Sequence, residues 1–107
     1  MRKWEIYLAK VKFEDYDGWK VRPVVIKDDK TCFVIALYST SQEKGYIDEY
    51  KISEWEIAGL HKQTFVRLNR KLKIDKVDIG KKIGRLSLYD IAGIKDRIAE
   101  LNKRKEV

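Results

Sequence analysis

An arginine beside the chain's single proline, at the head of an apolar run, carries the clearest chemical potential: Val21-Arg22-Pro23-Val24-Val25-Ile26. Proline fixes its own φ, lacks an N–H, and drives the residue before it toward extended geometry. Arg22 is thereby held stiffly at a strand entrance. Its guanidinium offers five donors in a planar fork, which suits a phosphate better than a flexible ammonium does. By this short pattern alone, a surface arginine ahead of an ordinary edge strand is the commoner description. Thr40 is the second candidate, within Ser39-Thr40-Ser41 at the end of the next apolar run. If the strands flanking Asp28-Asp29-Lys30 pair antiparallel, the start of one lies beside the end of the other. Arg22 is seven residues before Asp29 and Thr40 eleven after it, so a bulge or curl is needed for them to meet. A guanidinium and a hydroxyl meeting there could grip a phosphodiester. The arginine would neutralise charge developing on the phosphoryl oxygens, and the hydroxyl would orient a non-bridging oxygen or an attacking ribose 2′-OH. Metal-free cleavage by the RNA's own 2′-OH is the nuclease chemistry this inventory supports.

Other chemistries lack their parts. His61 and Cys32 are the only histidine and cysteine, so no ligand set stands at zinc or iron spacing. His61 lies in Gly59-Leu60-His61-Lys62-Gln63, a loop pattern, and reads as structural or as a weak RNA contact. No nucleophile elbow is present to build a Ser–His–Asp arrangement. Cys32 sits inside Cys32-Phe33-Val34-Ile35-Ala36-Leu37, where a thiol behaves as a small hydrophobe. Trp4 and Trp55 fall on patterned segments and read as core. Trp19 follows Gly18 at a loop tip, where it could stack on a base or plug an apolar gap. Lys10, Lys12, Lys20, Lys44, Arg67 and Arg70 could form a basic track, although charges on strands are usually just the solvated face.

The 107 residues are enough for one domain with its own core, read here as 1–107. Lys and Arg number 24 against 17 acidic residues, a net charge of +7 that favours an anionic partner, nucleic acid first. With no leader-like apolar segment at the amino terminus and no long apolar run, a soluble, cytoplasmic protein is expected. Trp4 to Phe13 alternates, with a change of parity near Ala9 and Lys10 that predicts a bulge. Asp17-Gly18 marks a hairpin loop before a strand from Val21 to Lys27. Thr31 to Tyr38 is nearly continuous apolar and predicts a central strand buried on both faces. Further strands are expected over 46–52, 64–70 and 72–74, a capped helical turn over 53–59, and a turn with a short strand over 79–86. From Ser87 the period changes: Leu88, Ile91, Ile94, Ile98 and Leu101 recur at helical spacing behind a Ser-x-x-Asp capping box. The pattern predicts a mainly β fold, a small antiparallel barrel with a C-terminal α-helix.

In order along nearly the whole chain, these segments resemble the MazF/PemK toxins of type II toxin–antitoxin systems. The resemblance rests on Trp4-Glu5-Ile6-Tyr7-Leu8-Ala9-Lys10-Val11, Val21-Arg22-Pro23-Val24-Val25-Ile26, Ser39-Thr40-Ser41 and Lys44-Gly45-Tyr46. Trp55-Glu56-Ile57-Ala58-Gly59-Leu60, Phe65-Val66-Arg67-Leu68 and Ile83-Gly84-Arg85-Leu86-Ser87 look like the PemK-like branch. It implies an SH3-like barrel and a homodimeric, sequence-specific mRNA endoribonuclease that needs no metal or other cofactor and leaves a 2′,3′-cyclic phosphate and a 5′-hydroxyl. The family's catalytic arginine falls on Arg22 and its catalytic threonine on Thr40, with Ser39 one residue away. Trp19, Lys20, Ser39, Ser41, Lys44 and Arg67 are then the expected contacts to single-stranded RNA. A cognate antitoxin with an acidic tail would complement the +7 charge. The first loop, Glu14-Asp15-Tyr16-Asp17-Gly18-Trp19, departs from the family's Gly-Ser-Glu pattern, with Glu14 as a substitute proton acceptor. Two other readings share the fold: a non-catalytic RNA-binding or ribosome-associated module, and a toxin that poisons a protein such as DNA gyrase. The second depends on an apolar carboxy-terminal end, whereas this chain finishes Lys103-Arg104-Lys105-Glu106-Val107.

Overall fold

The computed structural model describes residues 1–12, 18–28, 30, 33–38 and 45–105. The strands are β1 (Glu5–Lys12), β2 (Trp19–Asp28), β3 (Phe33–Tyr38), β4 (Glu49–Lys51), β5 (Phe65–Lys73) and β6 (Ile79–Arg85). A single 3₁₀ turn, Lys76–Asp78, precedes β6, and α1 spans Leu88–Lys105. The strands form one antiparallel sheet in the order β4-β5-β3-β2-β1-β6. This is the mainly β, helix-closed architecture expected from the sequence, with the sheet curled into a half-barrel.

β3 is central, as its apolar run predicts, and feeds a core on each face. Ile35 and Leu37 enter the larger cluster with Ile6, Val25, Val66, Leu68 and the α1 residues Ile91, Ile94 and Leu101. Val34 enters the smaller one with Ala9, Val11, Val24, Ile26 and Ile74. These two cores explain the parity change in β1. Ile6 packs into one cluster and Ala9 and Val11 into the other. The expected bulge in β1 is therefore corrected: its pairing with β2 runs unbroken from Ile6↔Val25 to Lys12↔Trp19. Irregularities lie in the other partners. The β1–β6 register shifts twice, and β5 carries extra residues between its pairs with Leu37 and Ile35. The strand expected over 46–52 shortens to β4, because Tyr46–Asp48 form a turn in which the Glu49 N–H donates to the Tyr46 carbonyl at 3.1 Å.

The edges β4 and β6 do not pair with each other, and the turn following β4 closes the gap. A Cβ at Gly84 of β6 would lie 2.2 Å from the Ala58 carbonyl oxygen, and one at Gly59 2.8 Å from that of Ile83. Gly59 also has φ +89, a left-handed conformation natural to glycine. Glycine at both positions permits backbone to meet backbone.

Asp90 fastens α1 onto this closure. Ser87 caps the helix, its Oγ accepting the Asp90 N–H at 3.2 Å. The Asp90 carboxylate reaches out of the helix, accepting from the Tyr50 hydroxyl at 2.8 Å and from the Ser53 and Glu54 N–H groups at 2.9 and 2.8 Å. Asp90 is fully buried, and burial together with this carboxylate pushes the Tyr50 phenol well above its usual range. At the other edge, buried Glu5 pairs with Lys82 and accepts from the Arg2 N–H and the Tyr7 hydroxyl. The Lys82 hydrogen bond is the main cause that holds the Glu5 carboxyl down, at about 2 against an ordinary 4.5.

Two outcomes follow. Asp90→Ala removes the acceptor of two part-buried N–H groups and a hydroxyl, so chemical denaturation should show a loss of about 1–3 kcal/mol. Asp90→Asn, which keeps one acceptor oxygen, should lose less. Because the Glu5 carboxyl is depressed in the folded state, its stabilisation is present above 4.5 and is lost as pH falls toward about 2. Melting temperatures of Glu5→Gln should therefore fall less steeply across that window than those of the native chain.

Candidate nucleic-acid interface

Arg22 stands where β2 outruns its neighbour. β2 pairs with β1 from Trp19 to Val25, but with β3 only from Val24 to Asp28. Side chains alternate across a strand, so Arg22 shares a face with Val24 and Ile26, opposite Ala9 of β1. Ala9, Val24 and Ile26 are buried there, whereas Arg22 is exposed and has no hydrogen-bond or ion-pair partner among the described residues. Lys20 follows on that face opposite Val11, half-buried. Trp19 lies opposite Lys12 and is 59 % exposed, an aromatic surface open to solvent. Beside it, a cleft of about 270 Å³ is lined by Val11, Leu72 and Ile74 together with Trp19, Lys12, Lys73, Asp75 and Asp78.

The ladder carries β3 toward Arg22. Tyr38 is two residues past Ala36 and Arg22 two before Val24, and Ala36 pairs with Val24. The chain thus leaves β3 at Arg22's end of β2. Ser39, Thr40, Ser41 and Lys44 lie outside the described residues, as do Glu14 and Cys32.

Both flanks of 39–44 are tied to one carboxylate. The Tyr38 hydroxyl donates to one oxygen of Glu49 at 2.5 Å, and the Gly45 N–H to the other at 3.3 Å. Burial and this carboxylate push the Tyr38 phenol well above its usual range. The Tyr38 ring stacks on Phe65 at 5.9 Å between centroids. Arg67 braces the same turn: its Nε donates to buried Asp48 at 3.1 Å, and its guanidinium lies 3.9 Å from the Tyr46 ring centroid. Asp48 also accepts the Asn69 N–H at 3.2 Å. Of the expected site residues, the structure places Lys20 and Arg22 on one face at the start of β2, Trp19 at the same strand end on the other face, and Arg67 on β5 in the turn network. His61 is exposed after the turn over 53–59.

Sequence reasoning missed Glu49 and Asp48 as anchors of that turn. Tyr38 and Glu49 are eleven residues apart across a loop, and no periodicity couples them. It also missed the contribution of Leu72, Lys73 and Ile74 to the cleft, which only the β5 fold-back brings to Trp19. No group of three metal-ligating residues occurs among the described residues, and no helix is long and apolar enough to cross a membrane.

Comparison with known proteins agrees with this architecture. The Mycobacterium tuberculosis toxin MazF-mt6 superposes with a TM-score of 0.66 at 21% identity, covering 90% of this chain and 93% of that one. An endoribonuclease from mycobacterial species, solved in complex with its cognate antitoxin, gives 0.65 at 14% identity, with 92% and 90% covered. No curated protein matches the sequence. These likenesses establish the fold. Residues 2–101 match the family model described as PemK-like, MazF-like toxin of type II toxin–antitoxin system. Spanning nearly the whole sequence, that match makes the chain a member of the PemK-like, MazF-like toxin family of type II toxin–antitoxin systems.

Proposed function

We propose that this toxin is a sequence-specific endoribonuclease that cuts single-stranded mRNA without a metal. The observation that carries the reading is Arg22: an exposed guanidinium with no partner among the described residues, on a strand end stiffened by Pro23 and β1. An arginine left unneutralised on a rigid mount is suited to a transferring phosphoryl group. The RNA's 2′-oxygen forms the new bond to phosphorus, the bond to the 5′-oxygen breaks, and a 2′,3′-cyclic phosphate and a 5′-hydroxyl result. Arg22 stabilises the negative charge that grows on the non-bridging oxygens, an interaction stronger in the transition state than before it. Thr40, or Ser39 beside it, supplies the hydroxyl that orients the phosphate or the attacking 2′-OH. Trp19 offers a stacking surface at the same end of β2, on the face opposite Arg22 and Lys20, while Lys44, Ser41 and Arg67 extend the contacts.

A homodimer and a cognate antitoxin complete the proposal. The solved neighbour bound to its antitoxin supports a protein partner, and the +7 charge suits one with an acidic segment.

The test is long mixed-sequence RNA incubated with the protein in EDTA, followed by mapping of 5′ ends. Fragments bearing 5′-hydroxyls at one repeated short sequence are expected. Arg22→Ala should cut the rate by about 10²–10³-fold while most RNA affinity remains. Intact RNA at high protein concentration would favour the binding module instead.

A further inference from the structure

A second cationic site lies at the opposite end of β2, around Trp4. The Lys3 and Lys27 ammonium groups sit 5.1 and 5.0 Å from the Trp4 ring centroid. Register brings Lys71 to the same face: Val25 pairs with Ile35 and Ile35 with Lys71, and Val25 and Ile35 lie in the cluster that holds Trp4. Lys95 follows Ile94, which packs α1 onto that face. None of the four lysines has a carboxylate partner among the described residues. Glu5 is paired with Lys82, and Asp28 beside Lys27 accepts the Lys30 N–H, while Asp96 adjoins Lys95 in sequence.

The cluster is electrostatically costly to the chain. Lys27 is half-buried, and desolvation first, then the charges of Lys3, Lys71 and Lys95, lower its pKa. Trp4 adds backbone strain, with φ +74 in the left-handed region. Its N–H donates to the Ile26 carbonyl at 2.8 Å and its carbonyl accepts the Leu86 N–H at 3.1 Å, which hold it there. Charges gathered at a cost, on a backbone held in an uncommon conformation, mark a site for something negative.

We propose that Lys3, Lys27, Lys71 and Lys95 form an exosite for the phosphate backbone of single-stranded RNA, separate from Arg22. This rests on the reading of RNA as substrate. Lys27 is five residues from Arg22, about 17 Å along the strand, and on the other face of the sheet. Trp4 is only 6 % exposed, so it offers no surface for a base, and contact runs through ammonium groups alone. That favours sequence-independent phosphate binding. An acidic protein would want an apolar anchor at the centre of its interface. Met1 is the one large exposed hydrophobic residue adjoining Lys3 in sequence, and none adjoins the other three.

The experiment uses 2′-O-methyl polyuridine, which has no free 2′-OH to attack, titrated by fluorescence anisotropy across a salt series. Replacing all four lysines with glutamine should weaken low-salt binding at least about tenfold. The slope of log K against log salt should flatten by about 0.7 for each phosphate no longer neutralised. Lys95→Glu, a single exposed change, should move both quantities the same way, which guards against misfolding of the quadruple variant. Cleavage of a short oligonucleotide holding only the target sequence should be unchanged in both variants. An unaltered slope would overturn the exosite even if cleavage is confirmed. An equal weakening of polyglutamate and polyuridine binding would overturn it in favour of an acidic protein partner. Slope changes in a protein that cuts no RNA would uphold the exosite and reject the nuclease.

Discussion

The buried carboxylate of Asp90 joins three parts of the chain, the helix α1, the strand β4 and the turn that follows it. It is a helix residue, yet its oxygens serve Tyr50 of β4 and the N–H groups of Ser53 and Glu54. Those N–H groups begin the turn whose Ala58 and Gly59 close against Ile83 and Gly84. A two-edged sheet needs its edges covered, and strand pairing does not do it here. The helix, the turn and β6 do it together, and one anion sets their mutual position. Hydrogen bonds to a buried charge are stronger than neutral ones and costly to break.

The candidate site depends on the same economy of fixed points. Arg22 is positioned by backbone alone: Pro23 stiffens it, β1 pairs it, and nothing described holds its side chain. The 39–44 segment has the reverse arrangement, with its flanks clamped by side chains through Glu49 and the adjoining turn braced by Asp48 and Arg67. A free guanidinium can follow a phosphate as charge develops.

The sequence was most legible where a single periodicity dominates. The α1 stripe and its Ser87 cap, the central β3 and the proline-stiffened start of β2 all follow from local pattern and turn chemistry. The bulge expected in β1 failed because alternation was read as one buried face, whereas tertiary packing buries both faces at different ends of the strand. Arg22 was legible because proline leaves a covalent signature. Glu49, Asp48 and the Lys27 cluster were not, since a polar residue's role is set by what the fold brings to it from elsewhere. Asp90 was half legible. Its place in the capping box was visible, and its reach to Tyr50, forty residues away, was not.

Burying both faces of the sheet has a consequence for where ligands can bind. The middle of β2 is consumed by Val24, Val25 and Ile26, all buried. Only the two ends of that strand remain for charged groups, and each end carries them: Lys20 and Arg22 at the start, Lys27 at the finish. Lys27 lies on the face opposite Arg22, its ammonium over Trp4 of the larger cluster, whereas Arg22 shares the face of Val24 and Ile26 in the smaller one. A small sheet with two cores therefore cannot gather its positive charge into one patch along this strand. On the proposed reading, an RNA long enough to use both ends must pass around the sheet, whereas one that covers only the cleavage sequence meets only the Arg22 end. A length-dependent affinity would then follow from the same packing that keeps β3 buried on both sides.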